Sequence, residues 1–170
     1  MNRTARLAAS ALAASGLAVG ATTVAAASAT AAEPAALSIQ GDLALTPDLH
    51  LLRIDAEGAR TGAGATGGTY TATVLAGTDP TPIQVTGPIT CIYVKGDTAS
   101  LVYPISDIKP IGLPAQFKDA AAVQITVREG TDGRSDMVGV NGPMLTSSFT
   151  GCAPTDTPFA FDGEIETSGG

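Results

Sequence analysis

The chain is 170 residues long, 44% hydrophobic but only 4% aromatic, with a formal charge of −7 at neutral pH. That charge balance excludes a nucleic-acid partner, since phosphate contacts need clustered Lys and Arg and the basic residues of this chain are scattered singly. One histidine and two cysteines are too few for a zinc site and exclude a dense disulfide framework.

The first thirty-odd residues read as an export signal. Arg3 and Arg6 form a short positive region, and Leu7 to Val24 is an uncharged stretch of Ala, Leu and Val. Ala27-Ser28-Ala29 and Ala29-Thr30-Ala31 both fit the small-residue pattern of a cleavage site, so the mature chain is expected to begin near Glu33. A membrane anchor needs roughly 20 strongly apolar residues, whereas this stretch holds Gly16, Gly20 and several hydroxyls. Residues 1–32 are therefore assigned to a signal peptide and residues 33–170 to one β domain. No lipoprotein cysteine follows the signal and no second apolar segment of spanning length occurs. The expectation is a secreted, extracellular protein with no membrane contact after cleavage. Losing residues 1–32 removes two arginines and no acid, which leaves seven basic residues against 16 acidic ones and a charge of −9. Such a surface favours solubility. With no Trp, the core falls to Val, Ile, Leu and Ala.

After a weakly patterned lead-in (33–48), expected to be flexible like the tail at 167–170, period-two alternation takes over. Leu52, Ile54 and Ala56 share one face, with Arg53 and Asp55 on the other. Residues 58–68 read as a glycine-rich connection, and Tyr70, Ala72 and Val74 then alternate with Thr69, Thr71 and Thr73. A turn at Gly77-Thr78-Asp79-Pro80 precedes the short apolar pair Ile83 and Val85. The clearest hairpin runs from Ile89, Cys91 and Tyr93 through Lys95-Gly96-Asp97 to Ala99, Leu101 and Tyr103. Pro104 marks an edge or bulge, and Ile108 to Lys118 reads as a proline-bearing loop. Ala121 to Arg128 is the best single strand. Further strands are expected at Met137 to Val140, Met144 to Phe149, and from Phe159 to the end. Seven to nine short strands without a helical period predict an all-β fold, either a sandwich or a small antiparallel barrel.

Cys91 and Cys152 are expected to form one disulfide in an oxidising compartment. It would close a loop of about 60 residues, worth on the order of 4 kcal/mol in the chain-entropy picture. A reactive or metal-binding thiol pair would need a C-x-x-C spacing or a nearby His, and neither is present.

Candidates for chemistry are few. His50 has no G-x-S-x-G nucleophile to serve. Paired carboxylates for glycoside hydrolysis lack the Trp platforms that sugars usually need. Glu129, Asp132 and Asp136 crowd one loop and are weak candidates for calcium, but their spacing departs from the EF-hand pattern and Arg134 sits among them. A solvated turn at Asp132-Gly133 is the preferred reading. Gly62 to Gly68 lacks the Lys-Ser/Thr of a phosphate loop. No cofactor is expected.

Three stretches resemble small secreted β-barrel-like proteins of actinobacteria, a group without an established activity. These are Gly67-Gly68-Thr69-Tyr70, the run from Val85 to Ala99 with Gly87-Pro88-Ile89-Thr90-Cys91, and Val123 to Gly130 continuing to Asp136. Ile89, Ile92 and Asp97 stand where the group's pattern has Val, Leu and Asn. The resemblance spans roughly residues 60–155 and implies a barrel with its two cysteines joined. It brings no catalytic residues.

The functional expectation is a secreted non-enzymatic protein with a binding or surface-interaction role. Its partner would be an extracellular protein or a small apolar ligand held inside the barrel, unless side chains fill the interior. The alternatives are a small extracellular hydrolase or isomerase using carboxylates or Tyr93 and Tyr103, and a protease inhibitor presenting the Ile108 to Lys118 loop.

Overall fold

Alternation between a buried and a solvated face starts at residue 35, earlier than the sequence pattern suggested. The computed structural model describes residues 32–169, so all but the last residue of the expected signal lies outside the described part. Within the supposed lead-in, β1 (Ala35–Thr46) turns Leu37, Ile39 and Leu43 inward and Ser38, Gln40 and Asp42 outward. The inward Gly41 breaks the apolar stripe and hides the period.

Ten strands form one antiparallel sheet, strongly curled into a half-barrel. β2 (Leu49–Arg60), β3 (Thr66–Gly77) and β4 (Asp79–Pro88) follow β1 as neighbours. β5 (Cys91–Lys95) and β6 (Thr98–Pro104) make the expected hairpin. β7 (Asp107–Lys109) is short, and β8 (Ala121–Arg128), β9 (Met137–Leu145) and β10 (Phe159–Gly169) complete the order β5-β6-β8-β9-β10-β1-β2-β3-β4-β7.

Curl brings the two ends of this sheet together. β6 pairs with β8, and two residues after its end the chain re-enters the sheet as β7, which pairs with β4. A Cβ on Gly87 of β4 would collide with the Pro104 carbonyl oxygen, so only glycine permits this approach. Gly41 and Gly163 face one another across β1 and β10, where a Cβ on Gly41 would lie 2.6 Å from the Gly163 Cα. Such glycine pairs let a sheet bend sharply.

The enclosed core contains Leu37, Ile39, Ile54, Tyr70, Ile92, Leu101, Ile125, Val127 and Val138, each no more than 2% exposed. Tyr70 and Tyr103 stack at its centre with ring centroids 3.7 Å apart. Side chains thus fill the space that a ligand-carrying barrel would leave open.

Three expected boundaries move. The glycine-rich connection shrinks to 61–65, because β2 continues through Gly58 to Arg60 and β3 already includes Gly67 and Gly68. The two strands expected at 137–140 and 144–149 are one strand, β9, followed by a 3-10 turn at Thr146–Ser148. The tail at 167–169 is strand, paired with Ala35 to Leu37 of β1.

Candidate functional site

Two loops leave the sheet at the β6–β8 and β9–β10 connections, and four large exposed apolar side chains lie on the first of them or on the end of β9 where the second begins. The first leaves after Ile105 and returns at Asp119, and three hydrogen bonds close its base. Ile105 N–H donates to Ala121 O at 2.8 Å, Asp119 N–H donates to Ile105 O at 2.8 Å, and the Ser106 hydroxyl donates to Asp119 Oδ1 at 2.6 Å. A 3-10 turn at Ala115–Phe117 shapes its far side, and Pro110 and Pro114 restrict its backbone.

The second loop begins where β9 ends at Leu145 and is tied to the first. Thr146 N–H donates to Ala120 O at 3.0 Å, and the Thr146 hydroxyl donates to Asp119 O at 2.6 Å. On the first loop Ile111 is 74% exposed and Phe117 56%, and at the end of β9, where the second loop begins, Leu145 is 67% exposed and Met144 39%. The other exposed large apolar side chains, Leu45, Leu49 and Leu51, belong to the β1–β2 turn region. The hydrogen bonds from Asp119 and Thr146 anchor the backbone beside these side chains.

Elsewhere the surface is polar. Outward residues of β10, β1, β2 and β3 align in rows, one of which runs Glu166, Ser38, Glu57 and Thr69. Beside it a shallow groove of about 730 Å³ is floored by Ala36, Ala59 and Gly67. Two rows away, Arg53 clasps Asp42 through Nε and Nη2 at 2.9 and 3.0 Å. His50 Nδ1 lies 3.5 Å from the same carboxylate, so the lone histidine belongs to a surface charge cluster and not to a nucleophile.

Cys91 and Cys152 are bonded, as expected. The bond fastens an extended strap, residues 152–158, over the outer face of β6, β8 and β9. Gln124 Nε2 donates to Ala153 O at 2.6 Å and to the Ser100 hydroxyl at 2.9 Å. Thr155 N–H donates to the Thr126 hydroxyl oxygen at 3.0 Å. Ser100, Gln124 and Thr126 are all buried, yet each reaches a partner, which is what makes a polar layer under the strap affordable. Nothing in the local alternation of Ala121 to Arg128 reveals that a strap covers Gln124 and Thr126.

Glu129, Asp132 and Asp136 do not converge. Asp136 Oδ1 accepts from Gly130 N–H at 2.7 Å and closes the loop, while Asp132 occupies the turn with φ 57°. Among the described residues no group of three or more His, Cys, Asp or Glu is placed to hold a metal.

Of the two tyrosines considered for catalysis, Tyr93 is partly buried against the cluster of Val102, Ala122 and Cys152. Tyr103 is 3% exposed and lies in the core against Tyr70. Burial pushes its phenol up to about 12. Burial, with the adjacent Tyr103 adding to it, pushes Tyr70 well above the usual value of 10. Both phenols therefore stay neutral and beyond the reach of a substrate.

Comparison with known families finds no matching family model, and comparison with curated proteins and with solved structures finds no similar protein.

Proposed function

We propose that this is a secreted, non-enzymatic binding protein whose contact surface is the loop bearing Ile111 and Phe117 together with the adjoining end of β9 bearing Met144 and Leu145. The observation that carries this reading is the exposure of those four side chains on backbone that hydrogen bonds hold at Ile105, Asp119 and Ala120. Pre-ordered loops lose little entropy on docking, and apolar anchors at the centre of a contact supply most of its energy. The partner is accordingly an extracellular protein with an apolar recess. The filled core argues against a carrier of small apolar ligands, and the buried Tyr103 argues against catalysis by the hairpin tyrosines.

Export is part of the same proposal. It draws on the Arg3 and Arg6 pattern with its Ala-rich successor and on the Cys91–Cys152 bond, a type of staple that persists in oxidising compartments.

A paired capture experiment tests the reading. Immobilised wild-type protein and an Ile111→Asp/Leu145→Asp variant are exposed to the same extracellular fluid, and retained proteins are identified by mass spectrometry. A partner held by the wild type and lost by the equally folded variant is expected; identical retention by both would refute it.

One observation favours a more specific version, a protease inhibitor. Ile111 stands out at 74% exposure on a loop closed at its base, as a residue offered to a specificity pocket would be. Unchanged activity of secreted proteases incubated with the protein would remove that version and leave the wider one standing.

A further inference from the structure

The curled sheet closes well at the β6–β7 bend but poorly at its other seam. β9 pairs with β10 only at Phe159 and Ala160, and one further bond runs from Phe161 N–H to Asp136 O at 2.9 Å. That bond fixes the parity of β10. Phe161 points its main-chain groups toward the β9 side, so Gly163, Ile165 and Thr167 do the same, and the even-numbered residues between them bond to β1. Beyond Phe161 no backbone partner meets Gly163, Ile165 or Thr167 on that side among the described residues. Three N–H and three C=O groups thus lack a strand partner, on Gly163, which is exposed, Thr167, which is half-buried, and Ile165, which is 8% exposed.

Two other edges of the sheet are partly guarded. β7 covers part of β4, and Pro80 and Pro82 interrupt the remainder. On β5 the Ile92 carbonyl accepts from Arg60 Nη1 at 2.7 Å. The β10 edge carries no proline and no such cap. What flanks it is charge, because Asp162, Glu164 and Glu166 all lie exposed on its outer face. The basic side chain nearest to them in register, Arg53, is engaged by Asp42.

We infer that the free edge of β10 binds an extended cationic peptide by strand addition, with main-chain hydrogen bonds to Gly163, Ile165 and Thr167. Lys or Arg at alternate positions of the added strand would lie beside Asp162, Glu164 and Glu166, where opposite charges on neighbouring strands attract. A second copy of this chain is a poor occupant, since pairing β10 with β10 would set three carboxylates against three. The edge shares no residue with the apolar loops, and this inference stands independently of the function proposed for them.

The test uses the folded protein and an end-capped peptide of alternating Lys and Val, with two controls: its Glu–Val counterpart, and the Lys–Val peptide methylated at every backbone amide. Hydrogen exchange at single amides is followed together with affinity. Binding of the Lys–Val peptide should slow exchange at Gly163, Ile165 and Thr167. Affinity should fall at least tenfold for the methylated peptide, for the Glu–Val peptide, and for Thr167→Pro, which removes one edge donor and no β1 bond. Equal binding of the methylated peptide, meaning that charge alone attracts it, would overturn the inference, as would unprotected amides at all three positions. The peptide controls keep the test decisive even if Thr167→Pro does not fold.

Discussion

Tyr70 of β3 and Tyr103 of β6 lie face to face, ring centroids 3.7 Å apart and planes inclined by 16°, so that one aromatic pair joins the two halves of the curled sheet. Among the described residues the buried Tyr70 hydroxyl has no hydrogen-bond partner. A buried unsatisfied hydroxyl costs about 1–3 kcal/mol. Tyr70→Phe should therefore leave stability unchanged or raise it by about 1 kcal/mol, whereas Tyr70→Ala should cost about 3–5 kcal/mol through the cavity it opens. Chemical denaturation of the two variants measures both.

The same pair sets a limit at high pH. An unfolded tyrosine ionises near 10, whereas burial in the folded state pushes Tyr103 up to about 12 and Tyr70 well above 10. The folded state then keeps protons that the unfolded state releases, so stability falls as pH rises. The contribution should be complete below about pH 10 and be lost as pH climbs toward 12. Denaturation midpoints across that window should drop in the wild type and drop less in Tyr70→Phe/Tyr103→Phe.

The strap from Cys152 is held twice, by the disulfide to Cys91 and by Gln124 and Thr126. With a sequence separation of 61 between the cysteines, removing the bond should cost about 4 kcal/mol in the chain-entropy picture. Gln124→Ala leaves Ala153 O without its donor and should cost about 1–3 kcal/mol. Because both changes free the same segment, the double variant should lose less than the two single losses combined, which a double-mutant cycle in denaturant reads directly.

Curvature depends on particular glycines. A Cβ on Gly58 would meet the Cδ1 atoms of Ile89 and Ile92 at 2.9 Å, and one on Gly163 would press against the backbone of Gln40 and Gly41. Gly163→Ala should cost about 1–3 kcal/mol and Gly58→Ala less, because isoleucine tips move where backbone cannot. Gly67→Ala meets nothing within 4 Å and serves as the control. Thermal melting ranks the three.

The all-β fold, the β5–β6 hairpin and the disulfide were legible because each rests on short-range signals: alternation, a Gly-Asp turn, and two cysteines with no competing use. β1 was not, since Gly41 interrupts its inward stripe for the sake of a glycine facing it on β10. Its glycine partner, Gly163, lies over a hundred residues away. The end of β2 was masked likewise by Gly58, a position that looks like loop until β5 is laid across it. For the candidate site, the Ile108 to Lys118 loop was visible as a proline-bearing segment. Its link to Leu145 was not, because the bonds from Thr146 to Asp119 and Ala120 appear only when β8 and β9 pair.

Contact through the joined loops is the central functional statement, and cross-linking from within the surface tests it most directly. A photoreactive side chain placed at position 111 should capture an extracellular protein, while the same group at position 40, on the polar outer face of β1, should not. Ile111 is too exposed for its replacement to shift stability by more than about 0.5 kcal/mol, so folding does not confound the comparison. Capture from position 111 alone is the predicted result. Equal capture from both positions, or capture only from position 40, would contradict the account.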